Sequence, residues 1–263
     1  MTVNGRYLRY VALGDSQTEG VGDGDDLVGL RGWADRLAER LTIDNPDLQY
    51  ANLAVRGRRA SEVRSEQLGP ALALRPDLAT VVAGVNDLLR LRVKTSTVAD
   101  DLEAMFAALT GSGARVATVT FPDLTRVIPL ARPVRSRILD INDRIRAAAA
   151  RHGVAVAEIA LHPSVADRRF WSEDRLHCSP LGHQLIADAV AHALQLPGSN
   201  NSWTEPAASS PIPPSRQGRA TAELRWATSF LGPWLGRRLR GQSSGDQRTA
   251  KHPQLHRIEG PQS

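Results

Sequence analysis

The chain has 263 residues, enough for one large domain with an appendage or for two small domains. Its single cysteine, Cys178, excludes an intrachain disulfide, and no run approaches the 18 apolar residues of a membrane-spanning helix. The net charge of +5 belongs to one end. Residues 197–263 hold nine Lys and Arg against four Asp and Glu, while the remainder holds 24 of each and offers no excess charge to a nucleic acid.

The first residues lack a basic segment followed by an apolar stretch, so no signal peptide is read and a cytoplasmic location is expected. Tyr7 to Leu13 reads as the first strand, followed by a Gly- and Asp-rich loop from Gly20 to Asp26. Arg31 to Leu41 reads as a helix with Trp33, Leu37 and Leu41 on one face. After the turn Asn45-Pro46-Asp47, Leu48 to Val55 is a second strand, and Ser61 caps the helix that follows. Arg75-Pro76-Asp77 breaks that helix, and Leu78 to Ala83 is a short third strand. Thr97 to Leu109 reads as a helix with Val98, Leu102, Met105 and Leu109 inward, and Ala114 to Phe121 as the fourth strand. Arg135 to Arg151 is a long helix with Ile138, Ile141 and Ile145 inward and Gly153 at its end. Val154 to Ile159 is the fifth strand. A loop carries Trp171 to Cys178, and Pro180 to Leu196 is a last helix with Leu181, Leu185, Ile186 and Val190 inward.

Strand and helix alternate five times, and the strands are apolar on both faces. That pattern predicts an α/β fold with a parallel sheet covered on both sides. The domain is expected over residues 1–196. Residues 197–222 turn to Ser, Asn and Pro and read as a linker. Residues 223–240 mix Leu224, Trp226, Phe230 and Trp234 with arginines, a basic amphipathic segment open to docking on the domain, contact with a sister subunit, or a peripheral membrane contact. Residues 241–263 read as a disordered tail.

Candidate chemistry sits where strands end. Ser16 stands just past the first strand, where ligands bind in open α/β sheets. A serine needs a base, usually histidine, oriented by a carboxylate, and Asp174-Arg175-Leu176-His177 supplies such a pair. Gly57 ends the second strand and can present a main-chain N–H; Asn86 ends the third and can present an amide. Each has a plain structural reading: a turn serine, a chance Asp/His pair, a turn glycine, a turn asparagine. Their common position past successive strands is what joins them.

Four short blocks in this order resemble the SGNH hydrolases, the GDSL-type esterase and lipase superfamily. The blocks are Gly14-Asp15-Ser16 with Thr18 and Gly20, Asn52 to Gly57, Gly84-Val85-Asn86-Asp87, and Asp174 to His177. The resemblance covers roughly residues 6–196. It implies a flavodoxin-like three-layer α/β/α sandwich with a five-stranded parallel sheet. It implies Ser16 as nucleophile, His177 as base and Asp174 as the acid orienting it. It implies an oxyanion hole of the Ser16 and Gly57 N–H groups and the Asn86 side chain, with no metal and no cofactor. The substrate would be a small-molecule ester with a small or medium acyl group. Gln17 departs from the pattern, standing where the family name has leucine. Nothing in the sequence suggests a lid or a large acyl groove.

Other signals read more plainly. Gly20-x-Gly22-x-Gly24 has the wrong spacing for a dinucleotide loop, and Asp23, Asp25 and Asp26 would repel phosphate. Cys178 reads as a small buried residue, and His183 with five other histidines as surface or packing residues. Arg56, Arg58 and Arg59 read as a solvated basic loop or, less simply, as a preference for anionic substrate. A binding or recruitment module on the same fold is the alternative to an enzyme.

Overall fold

The computed structural model describes residues 6–90, 92–123, 125, 127–205, 225–233, 236, 244–258 and 260. Six strands form one sheet: β1 (Arg9–Gly14), β4 (Gln49–Asn52), β5 (Leu78–Val82), β6 (Arg115–Val119), β7 (Ala155–Ala157) and β8 (His252–Arg257). Two short strands, β2 (Gly24–Asp25) and β3 (Gly29–Leu30), form a separate hairpin in the Gly- and Asp-rich loop. The sheet order is β7-β6-β5-β1-β4-β8. Of these, β1, β4, β5, β6 and β7 are parallel and take the 2-1-3-4-5 arrangement of the flavodoxin-like fold.

Both faces of the sheet are covered. Helices α2 (Trp33–Asp44) and α7 (Pro180–Ala193) pack together on one side; α3 (Ala60–Ala73), α5 (Thr95–Gly111) and α6 (Arg135–His152) pack side by side on the other. Hence β1 and β5 are buried almost throughout, which is why they read as unbroken apolar runs. Two helices begin or lean otherwise than expected. The Arg59 N–H is taken by the Glu62 carboxylate and α3 starts at Ala60, so Ser61 sits inside the first turn. Leu181 is 37% exposed, because it lies on the outer side of α7's first turn.

The chain leaves β1 toward β4 and later leaves β5 toward β6, in opposite directions. The crevice between the carboxyl ends of β1 and β5 is therefore the topological switch point. Gly14 pairs with Val82, so the two ends are level. Two four-residue helices begin there, α1 (Ser16–Glu19) after β1 and α4 (Val85–Leu88) after β5.

The tail beyond 241 corrects its expected disorder over one stretch. Residues 252–257 form β8, antiparallel to β4, so the sheet has six strands and not five. The sequence His-Pro-Gln-Leu-His-Arg lacks apolar alternation, and its strand is held by main-chain pairing and by ion pairs at its two ends, an exposed one from Arg257 to Asp47 and a half-buried one from Lys251. Lys251 Nζ lies 2.6 Å from Asp35 Oδ2, with side chains 16% and 12% exposed. Asp35 also accepts from the Gly32 N–H and the Tyr50 hydroxyl, yet burial pushes its carboxyl up against the pull of Lys251. Most of the predicted linker, residues 206–222, lies outside the described residues, as do 223–224, 234–235 and 237–243.

His183 on α7 is fully buried. Its Nδ1 accepts from the Trp33 N–H and its Nε2 lies 3.2 Å from the Val21 carbonyl, so one neutral ring ties α7 to the start of α2 and to the loop beyond α1. Burial lowers its pKa to about 4.

Two outcomes are expected from these contacts. Lys251→Met leaves the Asp35 carboxylate buried and unpaired and should cost about 3 kcal/mol in urea unfolding, most of which Asp35→Asn should restore in the double variant. His183 is neutral in the fold and protonates near pH 6.5 when unfolded, so its stabilisation is complete above pH 6.5 and is lost as pH falls toward 4. The loss amounts to about 3 kcal/mol at most, and His183→Gln should flatten the fall in stability over that window.

Candidate active site

A cavity of about 250 Å³ opens at the carboxyl ends of β1, β5 and β6. Ser16, Gly57, Asn86, Asp174 and His177 all line it, from four separate stretches of chain. Its deeper walls are apolar, with Val119, Phe121, Ile138, Ile159 and Ile186 among them. The sequence could not show this lining, because it comes from strand ends and helices far apart in the chain.

The nucleophile candidate is held from behind. Gln67 on α3 accepts from the Gly14 N–H and donates to the Gly14 carbonyl, both at 2.9 Å, fixing the end of β1. Asp15 is the N-cap of α1 and accepts from the Gln17 N–H. Ser16 thus occupies the first turn, where a helical N–H has no intrahelical carbonyl to meet. Its hydroxyl has no hydrogen-bond partner among the described residues.

The acid and base candidates share one tight turn. Ser172 N–H donates to the His177 carbonyl at 2.9 Å, and Trp171 pairs with Cys178, closing the loop between them. Asp174 Oδ2 lies 2.5 Å from His177 Nδ1. Its Oδ1 accepts from the Ser172 hydroxyl and from the Leu176 and His177 N–H groups. Burial would raise this carboxyl, but the His177 hydrogen bond and charge, with the other donors, hold it well below the usual carboxylate range. An ionised Asp174 fixes Nδ1 of His177 as the donor and leaves Nε2 as the ring's basic position.

No hydrogen bond joins Ser16 to His177; what joins their two loops is Gln17. Its Nε2 donates to the Leu176 carbonyl at 2.8 Å and its Oε1 accepts from the Cys178 N–H at 3.4 Å. One carboxamide therefore grips the main chain on either side of His177. Nothing in the sequence pattern marked this role, because the partner lies 159 residues away.

The oxyanion candidates differ from one another. Gly57 adopts φ +81°, a conformation that favours glycine, and its N–H has no partner among the described residues. Asn86 Nδ2 donates to Asp15 Oδ2 and to the Arg58 carbonyl, each at 3.0 Å, so its amide hydrogens are already engaged. Asp15, buried behind Ser16, has its carboxyl pushed up to about 7 by burial, against the pull of Gln17, His177 and Asn86. Asp87 accepts from the Ala60 N–H and so moors the Asn86 turn to α3.

The arginines of the Gly57 loop are paired. Arg56 grips Glu19 through its guanidinium and its main-chain N–H and also reaches Asp26; Arg58 pairs with Glu66 and Arg59 with Glu62. They hold the loop in place against α1 and α3. Cys178 is buried, and burial drives its thiol pKa far up, which leaves no thiolate. Among the described residues no three His, Cys, Asp or Glu side chains converge as metal ligands, and no helix is long and apolar enough to cross a membrane.

Comparison with known proteins agrees with this fold. The chain superposes on a lipase/acylhydrolase from Enterococcus faecalis with a TM-score of 0.58 at 20% identity, over 74% of this chain and 99% of that one. An α/β hydrolase enzyme from the metagenome of Lake Arreo, Spain, gives 0.59 at 22% identity, over 72% and 95%. A variant of an acetyl xylan esterase from Geobacillus stearothermophilus gives 0.57 at 16% identity, over 74% and 96%. At these identities the likeness is one of fold. No curated protein matches the sequence significantly. The sequence profile of the GDSL-like lipase/acylhydrolase family matches residues 12–185, well over half of the chain. With the fold, the switch-point cavity and this match in hand, the chain belongs to the GDSL-like lipase/acylhydrolase family and is a hydrolase of the esterase or lipase type.

Proposed function

We propose that this protein is a cytoplasmic serine esterase that cleaves carboxylic esters of small or medium acyl groups through an acyl-enzyme on Ser16. The observation that carries the reading is the bond from His177 Nδ1 to an ionised Asp174, in the wall of the cavity that Ser16 also lines. That bond leaves the other ring nitrogen free to act as a base.

In this reading His177 Nε2 takes the Ser16 proton as Oγ attacks the ester carbonyl. The new Oγ–C bond leaves negative charge on the carbonyl oxygen. The Ser16 and Gly57 N–H groups and the Asn86 amide stabilise that charge, with Asn86 giving up one of its two present bonds. Collapse breaks the C–O bond to the alcohol, which leaves with the proton from His177. Water then attacks the acyl-enzyme, gives its proton to His177, and releases the acid as Ser16 recovers its own proton. The apolar depth of the cavity favours an acyl chain of several carbons over a charged or sugar-like group in the same place. The pairing of Arg56 with Glu19 and Asp26 leaves that side chain engaged, which speaks against an anionic substrate.

A fluorophosphonate probe should label the wild-type protein at Ser16, as read by mass spectrometry. Ser16→Ala should lose both labelling and at least about 10³-fold of ester hydrolysis, with an unchanged thermal midpoint. A folded, unreactive wild type points instead to a binding module. Gln17→Leu should lower kcat about tenfold with KM nearly constant, since it frees the loop that carries His177 and leaves the apolar walls of the cavity in place. Gln17→Glu keeps the acceptor for Cys178 and should fall between the two. An unchanged kcat in Gln17→Leu would remove this residue from the machinery.

A further inference from the structure

The family match ends at residue 185, yet the chain returns to the cavity well beyond it. Two points of the C-terminal segment line the cavity: Phe230 and Ser244. Each is moored beside a different part of the site.

The first mooring is Trp226, 7% exposed. Its indole N–H donates to the main-chain carbonyl of Asp174 at 3.0 Å. The guanidinium of Arg175 lies 4.7 Å from the centre of the indole ring, a cation–π contact. Arg175 is itself buried at φ +62°, a strained conformation for a side-chain-bearing residue. Phe230 follows four residues later, one helical turn on. The second mooring lies at the Gly57 loop. Gly245 packs so closely on Arg56 that a Cβ there would stand 1.8 Å from its carbonyl oxygen. Arg248 pairs with Asp26, which also holds Arg56. Lys251 and β8 then lock the segment to α2 and β4.

Residues 226–230 are therefore fixed to the acid–base turn and residues 244–248 to the Gly57 loop. We infer that the C-terminal segment completes the binding site, with Phe230 as a specificity-determining residue that closes the apolar cavity and limits the length of acyl chain accepted. This rests on the esterase reading of Ser16. An aromatic ring at that place adds apolar contact for a short chain and occupies the space that a longer one needs. One methylene in an apolar pocket changes kcat/KM by about tenfold or more, so a ring of this size is enough to set a preference. Phe230 is part-exposed, so its removal leaves the core of the domain intact.

The test compares p-nitrophenyl butyrate with p-nitrophenyl decanoate on the full chain. Phe230→Ala should raise the decanoate-to-butyrate ratio of kcat/KM by about tenfold, and Phe230→Trp should lower it. Thermal midpoints and phosphonate labelling of Ser16 are read on the same samples. A ratio that moves in neither variant while Ser16 is labelled overturns this inference and leaves the esterase reading standing. A wild type that takes no label removes both.

Discussion

The site depends on how a doubly buried strand is made to stop. β1 runs between β4 and β5 with helices on both faces, so its main-chain groups must find partners inside the protein. At its last residue the side chain of Gln67 takes both the N–H and the carbonyl of Gly14. The chain can then turn into α1 without leaving an unsatisfied group behind. Because β5 ends level with β1, the same closure that frees Ser16 from the sheet sets it beside Asn86. Ser16 and Asn86 are thus placed by strand termination, while Asp174 and His177 are placed by a turn of their own.

Two carboxyl groups in this cavity show how environment divides one chemistry into two. Asp174 has four donors and stays ionised well below the usual range. Asp15 is buried with fewer donors and is pushed up to about 7. Separating the two in this way assigns to Asp174 the constant negative charge that a histidine base requires. The charge balance of the first 196 residues has the same logic on the surface. Its arginines are matched by acids, and several of those pairs fasten the loops around the cavity.

Much of this was legible in the sequence, for identifiable reasons. Parallel strands buried on both faces read as apolar runs, so β1 and β5 were placed nearly to the residue. Amphipathic helices such as α5 showed Val98, Leu102, Met105 and Leu109 at helical spacing, and all four are buried. The five candidate residues stood out because each follows a strand or sits in one compact motif. What stayed hidden depends on partners far away in the chain. Gln17 looked like a departure from a pattern and proves to grip Leu176 and Cys178. His183 looked like a packing residue on a helix, and only its contacts with Trp33 and Val21 give it a fixed tautomer. Arg56 looked like a loose basic residue until Glu19, 37 positions earlier, supplied its carboxylate. The last strand escaped because an edge strand with proline and two histidines carries no hydrophobic signature.

That strand has a consequence beyond the geometry of the site. Without it β4 would be the outermost member of the sheet, with a row of unpaired amides and carbonyls facing water. Such a row is a template on which a second molecule can add its own strand, the first step toward aggregation. β8 takes that place with a sequence that discourages further growth: Pro253 cannot donate, and the other side chains, Leu255 apart, are polar or charged. The end of the chain thus acts as a seam binding, keeping neighbouring copies from knitting together.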